Sequence, residues 1–348
     1  MNKTHFFSHY TSGVNLGGWL SQYQNYDHAH FKSFITEQNI QRIASWGMDH
    51  VRLPVDYPVL EEEDQPFHYK ESGYAYLDQC LAWCKKAGLS LIIDLHKASG
   101  YGFDNPSTST LFNDPLKQER FLAFWGELAR HYKSEGGHLS FELLNEIVLP
   151  SSLPWNLLAH RAVQAIRAID QQRIIILGGN HYNSIAGLSE LELYRDPRIV
   201  YTFHFYEPMV VTHQKAPWVT SLDVFNQQVD YPGTCPNLEG FIQFHPEYKA
   251  SLQSYVGTSL DKDYLRRLLL PALEFRQRSG QPLYCGEYGV IDRTPAATRL
   301  NWHRDFVDLL REFSIERACW SYKAMDFGLV DLAGNIVDQK IVQIVSTR

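Results

Sequence analysis

Two glutamates in this chain stand where acid–base chemistry could be done. Each ends an apolar run: Glu146 closes Phe141-Glu142-Leu143-Leu144-Asn145-Glu146, and Glu287 closes Leu283-Tyr284-Cys285-Gly286-Glu287. Two carboxyl groups brought together can divide labour, one staying protonated to give a proton while the other stays ionised. That is equipment for opening a glycosidic bond. A covalent intermediate goes with a separation of about 5–5.5 Å, direct attack by water with about 6.5–9.5 Å. Further runs end in Arg52, in Asp94 with His96, in His204 with Tyr206, and at Trp320, while Asn145 directly precedes Glu146. Singly, each has a plain explanation: an ion-pair partner for Arg52, a hydrogen-bonded core histidine for His96, an acidic helix start for Glu146. Their shared position at run ends is what points to a site.

Other chemistries find weaker material. There is no H-E-x-x-H, no G-x-S-x-G elbow, no phosphate-binding P-loop and no G-x-G-x-x-G. His28-Ala29-His30 falls in a polar loop and reads as solvated surface. His96 and His204 could meet in space, so a metal-dependent hydrolase built on them stays open, although neither a metal nor a cofactor is expected.

Residues scattered over six runs need a fold that gathers strand ends. Eight short apolar runs can be placed, at 12–17, 48–54, 89–96, 138–145, 173–178, 198–206, 282–287 and 317–322. Several are near-continuous, as in Leu89-Ser90-Leu91-Ile92-Ile93-Asp94-Leu95, which is how a parallel strand covered on both faces reads. Helical signals alternate with them. Thr36 caps a helix with Ile40, Ile43 and Ala44 on one face and Gly47 at its end, and Asp114-Pro115 starts another. Thr294-Pro295 opens a helix over 294–310, and 337–345 holds the last. Pro271 should bend or break the helix read over 265–275, and the fifth crossover, at 184–193, has the weakest period.

Eight β-then-α units predict an α/β fold, a (β/α)8 TIM barrel made by residues 1–348 as one unit, with chemistry at the C-terminal ends of its strands. A doubly wound open sheet is the alternative, because periodicity does not reveal closure. The stretch 207–261 after strand 6 is far longer than the usual 2–6-residue loop. It carries Trp218, Tyr231-Pro232-Gly233 and Tyr248, so it reads as an inserted subdomain near the active-site rim.

Composition bounds the partners. Over 348 residues, 44% hydrophobic and 20% charged residues describe a folded protein, and a formal net charge of −7 leaves no footprint for nucleic acid or an anionic membrane. Aromatic content of 14% is high, and flat rings fill cores or stack on sugars. No run approaches the ~20 apolar residues of a membrane span, and Met1–His9 offers no apolar signal core. The five cysteines, Cys80, Cys84, Cys235, Cys285 and Cys319, are scattered and unpaired in pattern, which points to a cytoplasmic enzyme, export by another route remaining open. Oligomeric state is written in no pattern of the chain.

The ordered segments resemble glycoside hydrolase family 5. They are Gly13-Val14-Asn15-Leu16-Gly17-Gly18-Trp19, Val51-Arg52-Leu53-Pro54, Asp94-Leu95-His96, Leu144-Asn145-Glu146, His204-Phe205-Tyr206 and Gly286-Glu287-Tyr288-Gly289. The segment Trp320-Ser321-Tyr322-Lys323-Ala324-Met325-Asp326-Phe327 and the insertion after strand 6 are most similar to the clostridial endoglucanase C type of cellulase. The resemblance implies Glu146 as acid/base and Glu287 as nucleophile, with retention at the anomeric carbon. It implies that Arg52 and the Tyr206 hydroxyl favour ionised Glu287, that Asn145 donates to the sugar 2-hydroxyl, and that His96 and His204 bond substrate and carboxylates. Trp320 would be the sugar platform at the cleavage point, followed by a non-proline cis peptide.

Trp218, and more weakly Trp155 and Tyr101, are further candidate platforms, with ordinary packing as the other reading. His213 and Lys215 read as a solvated face of the insertion, and Asp94 as a residue that orients Arg52. The partner implied is an oligo- or polysaccharide: a β-1,4 or mixed β-1,3/1,4-glucan, with β-mannan, β-1,3-glucan or short β-glucosides open. A non-catalytic carbohydrate-binding barrel is the alternative of another class.

Overall fold

The computed structural model describes residues 6–348, so the first part of Met1–His9 lies outside the described residues. Eight parallel strands close on themselves in sequence order, which decides for the barrel over the open sheet. They are β1 (Ser12–Asn15), β2 (His50–Asp56), β3 (Ser90–Lys97), β4 (Leu139–Glu142), β5 (Ile174–Gly178), β6 (Ile199–Phe205), β7 (Leu283–Tyr288) and β8 (Glu316–Cys319). β2, β5, β6 and β7 are buried along their whole length, as expected of strands with helices outside and packed side chains inside.

The crossover helices are α1 (Glu37–Ser45), α2 (Glu71–Ala87), α3 (Pro115–His131), α4 (Leu153–Arg167), α5 (Ile185–Leu188), α6 (Lys262–Ser279), α7 (Ala296–Glu312) and α8 (Gln339–Val345). Asp114 starts α3 by accepting from the Leu116 amide at 2.9 Å. Two expectations need correction. α6 runs unbroken through Pro271. α7 begins at Ala296 after Pro295, because the Thr294 hydroxyl donates to the Val211 carbonyl at 2.9 Å instead of capping. The fifth crossover is a single turn, as its weak period suggested. His28-Ala29-His30 belongs to a short helix, His28–Ser33, not a loop, and its rings bond Tyr76 and the Gly18 carbonyl.

The barrel floor is closed by the N-terminal segment. Phe7 and Tyr10 stack at 4.4 Å and join Ile92, Ile174, Ile176, Val200 and Tyr284 in a buried cluster. Residues 207–261 form short helices, among them Met209–Thr212, Thr220–Phe225 and Leu238–Phe244. They lean on α7, where Tyr231 donates to Asp305 at 3.0 Å and the Trp302 indole to the Glu207 carbonyl at 3.0 Å. Val211, Phe225 and Tyr255 share the main core with the barrel, so the stretch folds with it. All five cysteines are free and buried, and no described helix is long and apolar enough to cross a membrane.

Strand register sets the site. Asn15 lies beside Arg52, Asp94 beside Glu142, and His204 beside Glu287. Two irregularities re-aim side chains. Phe203 pairs with Cys285 but His204 with Glu287, which leaves Gly286 as the extra residue. Val55 pairs with Leu95 but Asp56 with Lys97, which leaves His96 as the other.

Candidate active site

Arg52 is the hub. Its side chain is fully buried inside the barrel, and a guanidinium has five N–H groups to place. Nε and Nη2 donate to the two oxygens of Glu142 at 2.7 and 2.9 Å, and Nη2 also donates to Asn145 Oδ1 at 3.0 Å. Nη1 donates to Asn15 Oδ1 at 2.9 Å and to Glu287 Oε1 at 2.7 Å. Those contacts use the whole fork. Asp94 faces the same guanidinium at 3.0 Å and accepts from His96 Nδ1 at 2.7 Å, so it orients both, as read from the sequence.

Glu287 is held at both oxygens, by Arg52 and by the Tyr206 hydroxyl, which donates to Oε2 at 3.0 Å. Burial raises its pKa above the usual carboxylate value, while the Arg52 guanidinium against it pulls it back down. Glu146 has less help. Among the described residues its carboxyl meets only His204 Nδ1, at 2.8 Å, and burial pushes its pKa up to about 8. Burial also holds His204 neutral, at about 4, so that nitrogen is not a cation stabilising carboxylate. Two chemically identical groups are thereby separated: Glu287 with a buried cation against it, Glu146 without one.

The aromatic wall lies beside them. Trp320 and His96 are parallel within 4°, their rings 5.8 Å apart, and the Trp320–Ser321 peptide is cis. Gly17 makes room for this indole, since a Cβ there would come within 2.8 Å of the ring. With its carbonyl oxygen committed to Arg52, the Asn145 amide offers N–H donors to a ligand.

The structure thus brings Arg52, Asn145, Glu146, His204, Tyr206 and Glu287 into one cluster, with His96 and Trp320 against it. Trp218 stands further out, 53% exposed on the insertion, and reaches Tyr206 only through His213. His213 corrects the sequence reading. It is buried between Tyr206 and Phe327 and held neutral, at about 4, whereas Lys215 is half-buried. Trp155 and Tyr101 are not platforms: Trp155 is fully buried with its indole on the Gly178 carbonyl, and the Tyr101 hydroxyl bonds backbone. Nor do His96 and His204 form a common ligand set among the described residues. The group with metal-ligand spacing there is Glu146, His204 and Glu287, whose nearest ligand atoms lie within 4.8 Å of one another.

Sequence reasoning missed Asn15 and Glu142, which complete the shell of Arg52, and Phe103, whose ring meets His96 edge-on at 5.1 Å. Asn15 and Glu142 each sit at the end of a strand, and that position was the available signal. Nothing in the sequence announced Phe103.

Comparison with known proteins agrees with this fold. The chain is 46% identical over 339 residues to endoglucanase C of Acetivibrio thermocellus, covering 97% of this chain and 98% of that one. It is 35% identical over 309 residues to cellodextrinase A of Ruminococcus flavefaciens, covering 88% and 84%. Its fold superposes on endoglucanase Cel5A of Thermotoga maritima with a TM-score of 0.79 at 23% identity, over 98% and 99% of the two chains. The family profile for cellulase (glycosyl hydrolase family 5) matches residues 10–326. Barrel, paired glutamates and near-full-length relatives together make this chain a member of glycosyl hydrolase family 5 and an O-glycosyl hydrolase.

Proposed function

We propose that the protein is a retaining β-glucan hydrolase that cleaves β-1,4 or mixed β-1,3/1,4 bonds by double displacement. The observation carrying this reading is the closeness of the two glutamates, whose nearest oxygens are within 4.8 Å. That closeness supports the retaining arrangement, with its carboxyls about 5–5.5 Å apart, over an inverting pair at about 6.5–9.5 Å. A glucan substrate is supported by endoglucanase C, the relative matched along nearly its whole length.

In the first step Glu287, ionised against Arg52 and Tyr206, attacks the anomeric carbon as Glu146 gives its proton to the departing oxygen. In the second, Glu146, now a carboxylate, takes a proton from water as that water displaces Glu287, and both groups return to their starting states. Asn145 holds the 2-hydroxyl, a contact that strengthens as positive charge grows on the ring. Trp320 presents a flat apolar face to the sugar.

The test is trapping with a dinitrophenyl 2-deoxy-2-fluoro-β-cellobioside, followed by peptide mapping and by NMR of the first-formed product. One equivalent of label on Glu287 and a β-configured product are expected. Label on another residue would reassign the nucleophile, and an α product would replace retention by inversion.

A further inference from the structure

β4 ends at Glu142, so Glu146 sits four residues beyond the strand, where no sheet ladder holds it. Its backbone is in the left-handed region, φ +36°, which a residue with a side chain adopts only when its surroundings impose it. The surroundings are on two sides. The Asn145 amide is tied to the Leu95 carbonyl at 3.0 Å. On the other side the Tyr101 hydroxyl donates to the Glu146 carbonyl at 2.7 Å and accepts from the Val148 amide at 2.8 Å.

We propose that Tyr101 is a positioning residue for the acid/base glutamate: its single hydroxyl, bridging the Glu146 carbonyl and the Val148 amide, holds Glu146 in the bent backbone that aims its carboxyl at the leaving oxygen. This rests on the reading of Glu146 as the acid. Tyr101 is suited to the task. It is buried, its ring packs edge-on against Phe112 at 5.5 Å, and it is delivered by a tight turn. In that turn Ala98 and Tyr101 exchange backbone hydrogen bonds of 3.1 and 2.9 Å around Gly100, φ +77°. Glu287 comes from a different strand and is fixed by Arg52 and Tyr206. Loss of the clamp therefore falls on proton delivery and spares nucleophilic attack.

The experiment compares kcat/KM, which reports glycosylation, for dinitrophenyl and phenyl β-cellobiosides. Protonation of the leaving oxygen matters for phenol and hardly for dinitrophenol. Tyr101→Phe should lose about tenfold on the phenyl substrate and under about twofold on the dinitrophenyl one, because small displacements of a catalytic group are costly only where that group acts. Gly100→Ala perturbs the same clamp through the turn, since its Cβ would meet the Lys117 side chain at 2.4 Å. It should show the same split and keeps the test alive if Tyr101→Phe folds poorly. Equal loss on both substrates, or no loss in either variant, overturns the proposal. Glu146→Gln separates the two claims: if it shows no split, Glu146 is not the acid, and if it alone shows one, only the clamp fails.

Discussion

Glu146 and His204 meet at 2.8 Å through His204 Nδ1, and the same nitrogen lies 3.5 Å from Glu287. One neutral ring thus touches both carboxyls. Burial keeps its pKa at about 4, so at neutral pH it brings no charge to either glutamate. A neutral imidazole nitrogen can accept from protonated Glu146 or donate to the carboxylate formed after the proton has left, depending on tautomer. The ring accommodates both states that the proposed cycle asks of Glu146.

The pH profile follows from the same geometry. In the proposed mechanism the acid must be protonated, and burial places Glu146 at about 8, so kcat/KM should fall as pH rises through about 8. The nucleophile must be ionised, and burial raises Glu287 above the ordinary 4.5, so the acid limb should lie above that value. The two limbs belong to the coupled pair. A rate profile of kcat/KM from pH 4 to pH 10 checks this. An alkaline limb near 5 would mean that Glu146 is not held protonated by burial.

Arg52→Lys should be severe although it keeps the charge. A lysine has a point charge on a flexible stem and cannot span Glu142, Asn15, Asn145 and Glu287 at once. The expected loss in kcat is about 10²-fold or more, with a lower melting temperature, because buried carboxylates lose their donors. Steady-state kinetics with thermal melts reads both. Full activity would show that the guanidinium fork is dispensable to the nucleophile.

Much of this architecture was legible in the chain, and the exceptions have physical causes. The runs containing β3 and β7 are apolar stretches ended by polar residues, and their periodicity differs from that of the helices between them, so the succession of βα units and the two glutamates could be read directly. Closure could not, because it depends on tilt and register, which leave no periodic trace. The irregularities at His96 and Gly286 were invisible for the same reason: an extra residue in a strand looks like any other. Tyr101 stayed open between platform and packing because an aromatic residue in a loop looks alike whether its face meets solvent or its hydroxyl meets a backbone. His213 was misplaced on a solvated face because its neighbour Phe327 arrives from a loop more than a hundred residues away.

Trp218→Ala should separate long substrates from short ones. The ring stands half in solvent on the insertion, connected to the cluster through His213 and Tyr206, so it can touch only sugar units away from the cleavage point. KM for cellohexaose should rise several-fold, in line with about 1–3 kcal/mol for a lost stacking or apolar contact at most, while dinitrophenyl cellobioside is unaffected. Unchanged kinetics on both would remove Trp218 from the cleft.

Exhaustive chelation followed by assay in metal-free buffer should leave activity intact. His96 Nδ1 is occupied by Asp94, and the Glu146–His204 contact belongs to proton transfer in the mechanism proposed. A loss restored by one divalent ion would assign Glu146, His204 and Glu287 a metal instead.

Asp56→Asn should stabilise the fold at alkaline pH and do little in acid. Asp56 is buried at the end of β2, where Oδ2 accepts from the Gln22 backbone amide at 3.2 Å while Oδ1 has no partner among the described residues. Burial raises its pKa to about 7, against Lys97, which pulls the other way. An unfolded aspartate titrates near about 3.9. Below that the group is protonated in both states and contributes no pH dependence. Between about 4 and 7 the unfolded chain releases the proton first, so stability falls as pH rises, and above about 7 the full penalty of a buried carboxylate persists. An asparagine keeps an acceptor for Gln22 and never ionises. The apparent melting temperature of the variant should therefore exceed that of the parent by about 1–2 °C per kcal/mol of relieved penalty at pH 8, the two converging near pH 4. Parallel melting curves across that range, with no convergence, would mean that Asp56 is ionised throughout and that its burial is compensated by Lys97.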